Sequence, residues 1–473
     1  MTINHYIPDE VLLEIFDSYR EDIDPYDQWR KQHVWIYLTH VCRRWRAIIF
    51  ASSSRLDLGI TIGMKKPGHI KTILSGPLPI FIDFKYGLND IVEFGSARWR
   101  MLAALRHHDR VREISFQGMS AKFDEFFEAT KCTFPILESL SLSFRYDYQP
   151  IFPDTFLGGP DLSINLRRLK WEYPPLETIS RILSSAKALT DLSLLFDSLS
   201  KSAENLLACL QGMPCLCNLD LTITHWHSFP LQSPTPKDIV TLSKLRCLHF
   251  HGHGACLDFF VSGLSAPSLR DVNFEYSEFY HDIWTVNKAI QHLPRFINEI
   301  KEHYHAVHVD CKRYHFFLSL LTHSEYVSQC KPRFNFGKVS KNYVHSVFQI
   351  TRTLSTRLYT IEELRVTFDG TDASDWEFFP WRRFLLQFPR VKALRTEGKN
   401  NYCIGRALFP DLEGFDDDLD FLPTLEEIEL GKDELRTHES QRRDQLTIFE
   451  PFVTARQQAG RTLGRTVKVF FDP

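Results

Sequence analysis

The chain has 473 residues, 43% of them hydrophobic and 24% charged, with a formal net charge of −3 and a pI near 6.7. That length exceeds what one compact core fills but suits an extended repeat array. The near-neutral balance gives no long-range field for nucleic acid or an anionic membrane, and no run approaches the ~20 apolar residues that span a bilayer.

The N-terminus, Met1 to Asp9, has neither a basic n-region nor an apolar h-region, so no secretory signal is expected. The ten cysteines are scattered, with no disulfide framework. Cys132, Cys209 and Cys247 read as small core residues. A reducing compartment, cytoplasmic or nuclear, is therefore expected.

The first element is a short helix over about residues 8 to 19. Pro8 suits a first helical position, and Asp9 and Glu10 complement the helix dipole. Val11 and Ile15 share one face, Leu12 and Phe16 the neighbouring one. After a polar stretch, Arg20 to Gln32, a second helix is expected from about Val34 to Phe50. Its stripe is Val34, Leu38, Val41, Cys42, Trp45 and Ile48 or Ile49. Two such helices are too small to be stable alone and need an apolar partner.

The segments IPDEVLLEIF and LTHVCRRWRAII resemble the two halves of the F-box, with Pro8, Leu12, Leu13, Phe16, Val41, Cys42 and Trp45 in the pattern. The link between them, roughly Asp17 to His33, is longer than the usual F-box connection. The resemblance implies docking on the adaptor Skp1, and through it on a cullin and a RING subunit. Pro8, Leu12, Ile15, Phe16, Leu38, Val41 and Trp45 would supply the contact, and some of them must also hold the two helices together.

Farther along, a triplet recurs in which two residues separate the first apolar position from the second and one separates the second from the third. It runs Val111-Ile114-Phe116, Leu137-Leu140-Leu142, Leu166-Leu169-Trp171, Leu189-Leu192-Leu194, Leu216-Leu219-Leu221, Leu245-Leu248-Phe250 and Leu269-Val272-Phe274. It returns at Ile361-Leu364-Val366 and Leu425-Ile428-Leu430. From Ile114 to Val272 the central residues step by 23 to 29 positions, in or near the leucine-rich-repeat range. Proline stands two residues before the first apolar position at Pro135, Pro214, Pro267, Pro389 and Pro423, with a partial copy at Pro410. There it ends a helix such as NLLACLQGM or WRRFLLQF and turns the chain into the strand. Upstream, Leu56 to Ile62 and Pro79 to Phe84 read as strands. Between Glu278 and Thr360 the repeat is lost, though AVHVD and RFNFG are strand-like. A helix around Gln441 to Gln458 and a strand at VKVFF close the chain.

The fold class expected is therefore α/β. A small all-α F-box (1–54) precedes an irregular leucine-rich-repeat solenoid (55–473), with parallel strands on the concave side and helices on the convex side. A degenerate or inserted stretch covers about 278–360 and a cap about 440–473. F-box plus irregular repeats resembles large families of fungal F-box proteins, which implies a non-catalytic receptor recruiting a protein substrate to a ubiquitin ligase.

Residues between the second and third apolar positions should point out of the concave sheet: Ser115, Ser141, Lys170, Ser193, Asp220, His249, Asn273, Arg365 and Glu429. The resemblance makes this face the substrate surface, with Lys170, Asp220, His249, Asn273, Arg365 and Glu429 as candidates. His249, His251 and His253 alternate, and such histidines can bind zinc; no Cys or carboxylate at ligand spacing supports them. Three exposed polar residues at a strand end is the plainer reading. Cys215 and Cys217 lack a second pair, Asp416 to Asp420 lack the glycine and glutamate of a calcium loop, and Lys65 and Lys66 are too few for a nucleic-acid patch. No cofactor is expected. A Skp1-bound or Skp1-independent scaffold without a role in degradation, and a metal enzyme built on the three histidines, are the alternatives.

Overall fold

In a computed structural model the described residues are 7–21, 38–52, 60–63, 78–85, 94–118, 124–144, 151–161, 165–197, 203–224, 239–252, 254–276, 304–312, 315–321, 333–338, 348, 351–352, 354–369, 379–398, 401–408, 422–430, 447, 449–455, 457 and 467–471. They form a mixed α/β structure dominated by parallel strands. The chain divides into two compact units, Met1–Leu192 and Ser193–Pro473, with the boundary inside strand β6 (Asp191–Phe196). Among the described residues no helix is long and apolar enough to cross a membrane.

The first unit begins with α1 (Asp9–Glu21) and α2 (Arg43–Ala51). The continuous helix expected from Val34 to Phe50 is not formed. Leu38 and Thr39 are helical, His40 and Val41 turn, and Cys42 is extended (φ −159°, ψ 170°) before α2 begins. The Cys42 thiol accepts from the Trp45 backbone N–H at 3.4 Å, and Arg46 Nε donates to the Thr39 carbonyl at 3.0 Å. Thr, His and Val are all mediocre helix formers, so these caps outweigh continuation through them. Val34 and most of the link lie outside the described residues.

Strands β1 (Ile60–Gly63), β2 (Ile80–Lys85), β3 (Val111–Gly118), β4 (Ser139–Phe144) and β5 (Arg168–Glu172) pair in chain order, all parallel. Helices α3 (Phe94–Leu105) and α4 (Asp124–Ala129) precede β3 and β4, and α5 (Leu176–Ser185) follows β5. The apolar triplets fall into register: Ile114 beside Leu140 beside Leu169, and Phe116 beside Leu142 beside Trp171. All six are buried. Burying one side of every strand is what fixes a register, because a one-residue slip would expose the whole set.

In the second unit β7 (Asn218–Ile223), β9 (Cys247–Gly252) and β11 (Asp271–Tyr276) continue the parallel pattern. So do β15 (Glu363–Asp369), β16 (Ala393–Gly398), β17 (Glu427–Leu430) and β18 (Lys468–Phe471). A two-stranded parallel ladder, β8 (Val240–Thr241) with β10 (Leu264–Ser265), stands apart. Helices α6 (Ala203–Gln211), α7 (Gly254–Gly263), α8 (Ser355–Leu358), α9 (Trp381–Leu385) and α10 (Asn401–Leu408) lie between strands in sequence. Strand β16 was not among the nine triplets. Its third position is Thr396, which is fully buried yet polar.

The stretch without repeats holds three strands, β12 (Ala306–Lys312), β13 (His315–Leu321) and β14 (Arg333–Lys338), in the spatial order β11-β14-β13-β12-β15. Strand β13 is antiparallel to both neighbours, a departure from uniformly parallel strands. Two residues separate Lys312 from His315, and a parallel crossover needs a dozen or more.

One turn recurs before the strands. The N–H of the first apolar residue donates three residues back: Leu137 to Phe134, Leu216 to Met213, Leu269 to Ala266, Val391 to Phe388 and Leu425 to Leu422. The prolines at 135, 214, 267, 389 and 423 thus take the second turn position, where their restricted φ suits the turn and no N–H is needed. Pro410 lies outside the described residues. Cys132, Cys209 and Cys247 are half-buried rather than core; among the described residues the buried thiols are Cys256, Cys311 and Cys403. Cys247 starts β9 in register with Asn218 and Asp271, off the buried apolar positions Leu248 and Phe250.

Candidate functional site

The N-terminal helix pair is held by a small core of Leu12, Leu13, Phe16, Ile48, Ile49 and Leu78, with Ile7, Leu38 and Trp45 packed against it. The Phe16 and Trp45 rings meet edge to face with centroids 4.8 Å apart. Of the residues singled out for docking, Leu12 and Phe16 are therefore interior, Leu38 and Trp45 half-buried, and Pro8, Ile15 and Val41 exposed. Along α1, Val11, Ile15 and Tyr19 are 42%, 44% and 51% exposed, and Val41 is 54% exposed. Val11, Ile15 and Tyr19 recur every four positions, about one helical turn apart, beside the buried pair Leu12 and Phe16. The helix is thus apolar on two faces, one of them open. Tyr19 was not singled out from the sequence, although its spacing from Ile15 continues the line.

The polar positions of the strands form rows in register. In the first unit the row runs Asp83, Ser115, Ser141, Lys170. Lys170 is exposed and its Nζ lies 3.8 Å from Glu172. In the second unit Asp220, His249, Asn273 and Arg333 are in register, and His308, Arg365, Arg395 and Glu429 continue the row beyond β13. Ser193 Oγ donates to Asp220 Oδ2 at 3.0 Å. Ser319, the β13 member of the row, is buried, so the row is not open along its whole length.

Two charge clusters differ in character. His249 Nε2 lies 3.4 Å from Asp271 Oδ2, and His251 Nδ1 lies 3.4 Å from Glu275. The bond to Asp271 raises the pKa of His249 above 6.5; burial opposes this, and the charges of Asp271 and Asp220 add to it. The second cluster centres on Arg395, whose Nε is 2.9 Å from Glu363 and 3.1 Å from Glu429, while Arg365 Nε is 2.5 Å from Glu363. Arg365 and Glu429 are thus tied into a lattice through Arg395. Arg395 lies on β16, where buried Thr396 breaks the apolar triplet, so the sequence pattern does not mark it.

Among the described residues no group of three His, Cys, Asp or Glu side chains could hold a metal ion. His253, Lys65, Lys66 and the acidic run 416–420 lie outside them. Burial pushes the Cys256 thiol up to about 12 and that of Cys311 well above the usual range, so both stay protonated and poorly nucleophilic. Cys217 Sγ donates to the carbonyl of Cys215, and Lys244 Nζ lies 3.8 Å from Cys215 Sγ. No family model and no curated protein matches the chain.

Proposed function

We propose that this chain is the substrate-recognition subunit of a Skp1-cullin-F-box ubiquitin ligase, itself non-catalytic. The observation that carries the reading is the open apolar line Val11, Ile15 and Tyr19 on a helix whose other apolar face is filled by its own core. Apolar side chains at one-turn spacing suit a groove in a protein partner. Together with the F-box resemblance of the same segments, this favours Skp1 as that partner. Ile15, Val41 and Pro8 supply exposed contact, while Leu12, Phe16 and Trp45 hold the helices in position.

The strand rows would then recruit the target, with Lys170, Asp220, His249 and Asn273 as candidate contacts. Arg365 and Glu429 are drawn into charge pairing within the sheet. The chain's contribution is proximity: it raises the effective concentration of target lysines near the conjugating enzyme.

The test is capture of Skp1 by the full chain and by the Ile15→Glu/Val41→Glu variant. Charge placed in a desolvated apolar contact should weaken capture about a hundredfold or more. Both positions are exposed, so the thermal midpoint should be unchanged. Undiminished capture by the folded double variant would place the contact elsewhere. Absence of capture by the unsubstituted chain would end the reading.

A further inference from the structure

Arg44 reaches from α2 to the first turn of α1. Its Nη2 donates to the Ile7 carbonyl at 2.6 Å and to Asp9 Oδ1 at 2.5 Å. These acceptors flank Pro8 on either side, and the Pro8 carbonyl in turn accepts from the Leu12 N–H at 3.1 Å. One guanidinium, half-buried at 29% side-chain exposure, therefore holds the residues that open α1. The apolar core grips α1 at Leu12, Leu13 and Phe16, one turn and more farther along. Ile7 packs only at the margin of that core. Without Arg44, the first turn would keep its packing at one end and lose its polar tether at the other.

We propose that Arg44 is a positioning residue for the docking surface: it fixes Pro8 and the first turn of α1, and so the direction of the Val11, Ile15 and Tyr19 line, before the partner arrives. This rests on the reading that the helix pair docks on a partner protein. A surface ordered in advance loses less conformational freedom on binding. Asp9 is more than half exposed, so solvent screens the pair and it adds little to global stability. Its effect should appear in local order and in affinity.

The experiment compares Arg44→Met, Arg44→Lys and Asp9→Ala in the full chain. Methionine keeps an apolar stem and removes every donor. Lysine keeps a cation that can serve both acceptors from one nitrogen, as Nη2 does. The readouts are amide exchange at Leu12 and its neighbours, Skp1 affinity, and the thermal midpoint. Arg44→Met should exchange faster at the start of α1 and bind about tenfold more weakly, with an unchanged midpoint. Arg44→Lys should restore most of both losses, and Asp9→Ala should fall between. Arg44→Met exchanging or binding like the unsubstituted chain would overturn the proposal. If the unsubstituted chain does not bind Skp1, the docking reading and the positioning role both fail, while the exchange data separately establish whether Arg44 orders α1.

Discussion

His249 is a residue whose surroundings favour its charged form. Its hydrogen bond to Asp271 favours the imidazolium, so the folded-state pKa stands above that of the unfolded chain. The stabilisation is therefore fully present below the unfolded pKa and is lost as pH rises through the folded value. The side chain is 45% exposed, which limits the effect to at most about 1 kcal/mol. His249→Ala should lower the thermal midpoint at pH 5.5 and leave it nearly unchanged at pH 8.5. Equal losses at both values would show that the imidazolium contributes nothing. The alternating histidines were visible in the sequence; the carboxylates facing them, 22 and 24 residues onward, were not, because strand pairing brings them together.

At the scale of elements, the strands explain why some outward residues are poor candidates for binding. Glu363 and Glu429 are only 13% and 16% exposed and share Arg395 from the strand between them. Arg395→Ala would remove that cation from beside both carboxylates and should cost up to about 1 kcal/mol, read as the denaturant midpoint. Lys170→Ala, on an exposed side chain, should stay within about 0.5 kcal/mol. A smaller loss at Arg395 than at Lys170 would contradict the lattice. The triplets Ile114-Phe116 and Leu219-Leu221 were legible because every apolar position is filled. Strand β16 was not, because buried Thr396 breaks the pattern that the backbone nonetheless keeps. The turn prolines were legible for a similar reason: their restricted φ is a property of the residue itself.

At the scale of the whole chain, the helix pair has a core of its own whose described residues run from Leu12 to Leu78. Leu394 is fully buried in the second unit. Leu394→Ala should therefore lower stability by about 2–5 kcal/mol while Skp1 capture, measured below the unfolding transition, is retained. Loss of capture from the folded variant would mean that the two functions are not separable.

By itself the sequence determined the α/β class, the strands carrying apolar triplets and the presence of two N-terminal amphipathic helices, because periodicity and proline act over a few neighbouring residues. Tertiary structure alone decided which apolar face of α1 is filled. Val11 with Ile15 and Leu12 with Phe16 are equivalent along the chain, and packing against Ile48, Ile49 and Leu78 breaks the tie. It likewise decided the antiparallel placement of β13 and the pairing of Arg395, since both depend on residues brought together from distant strands.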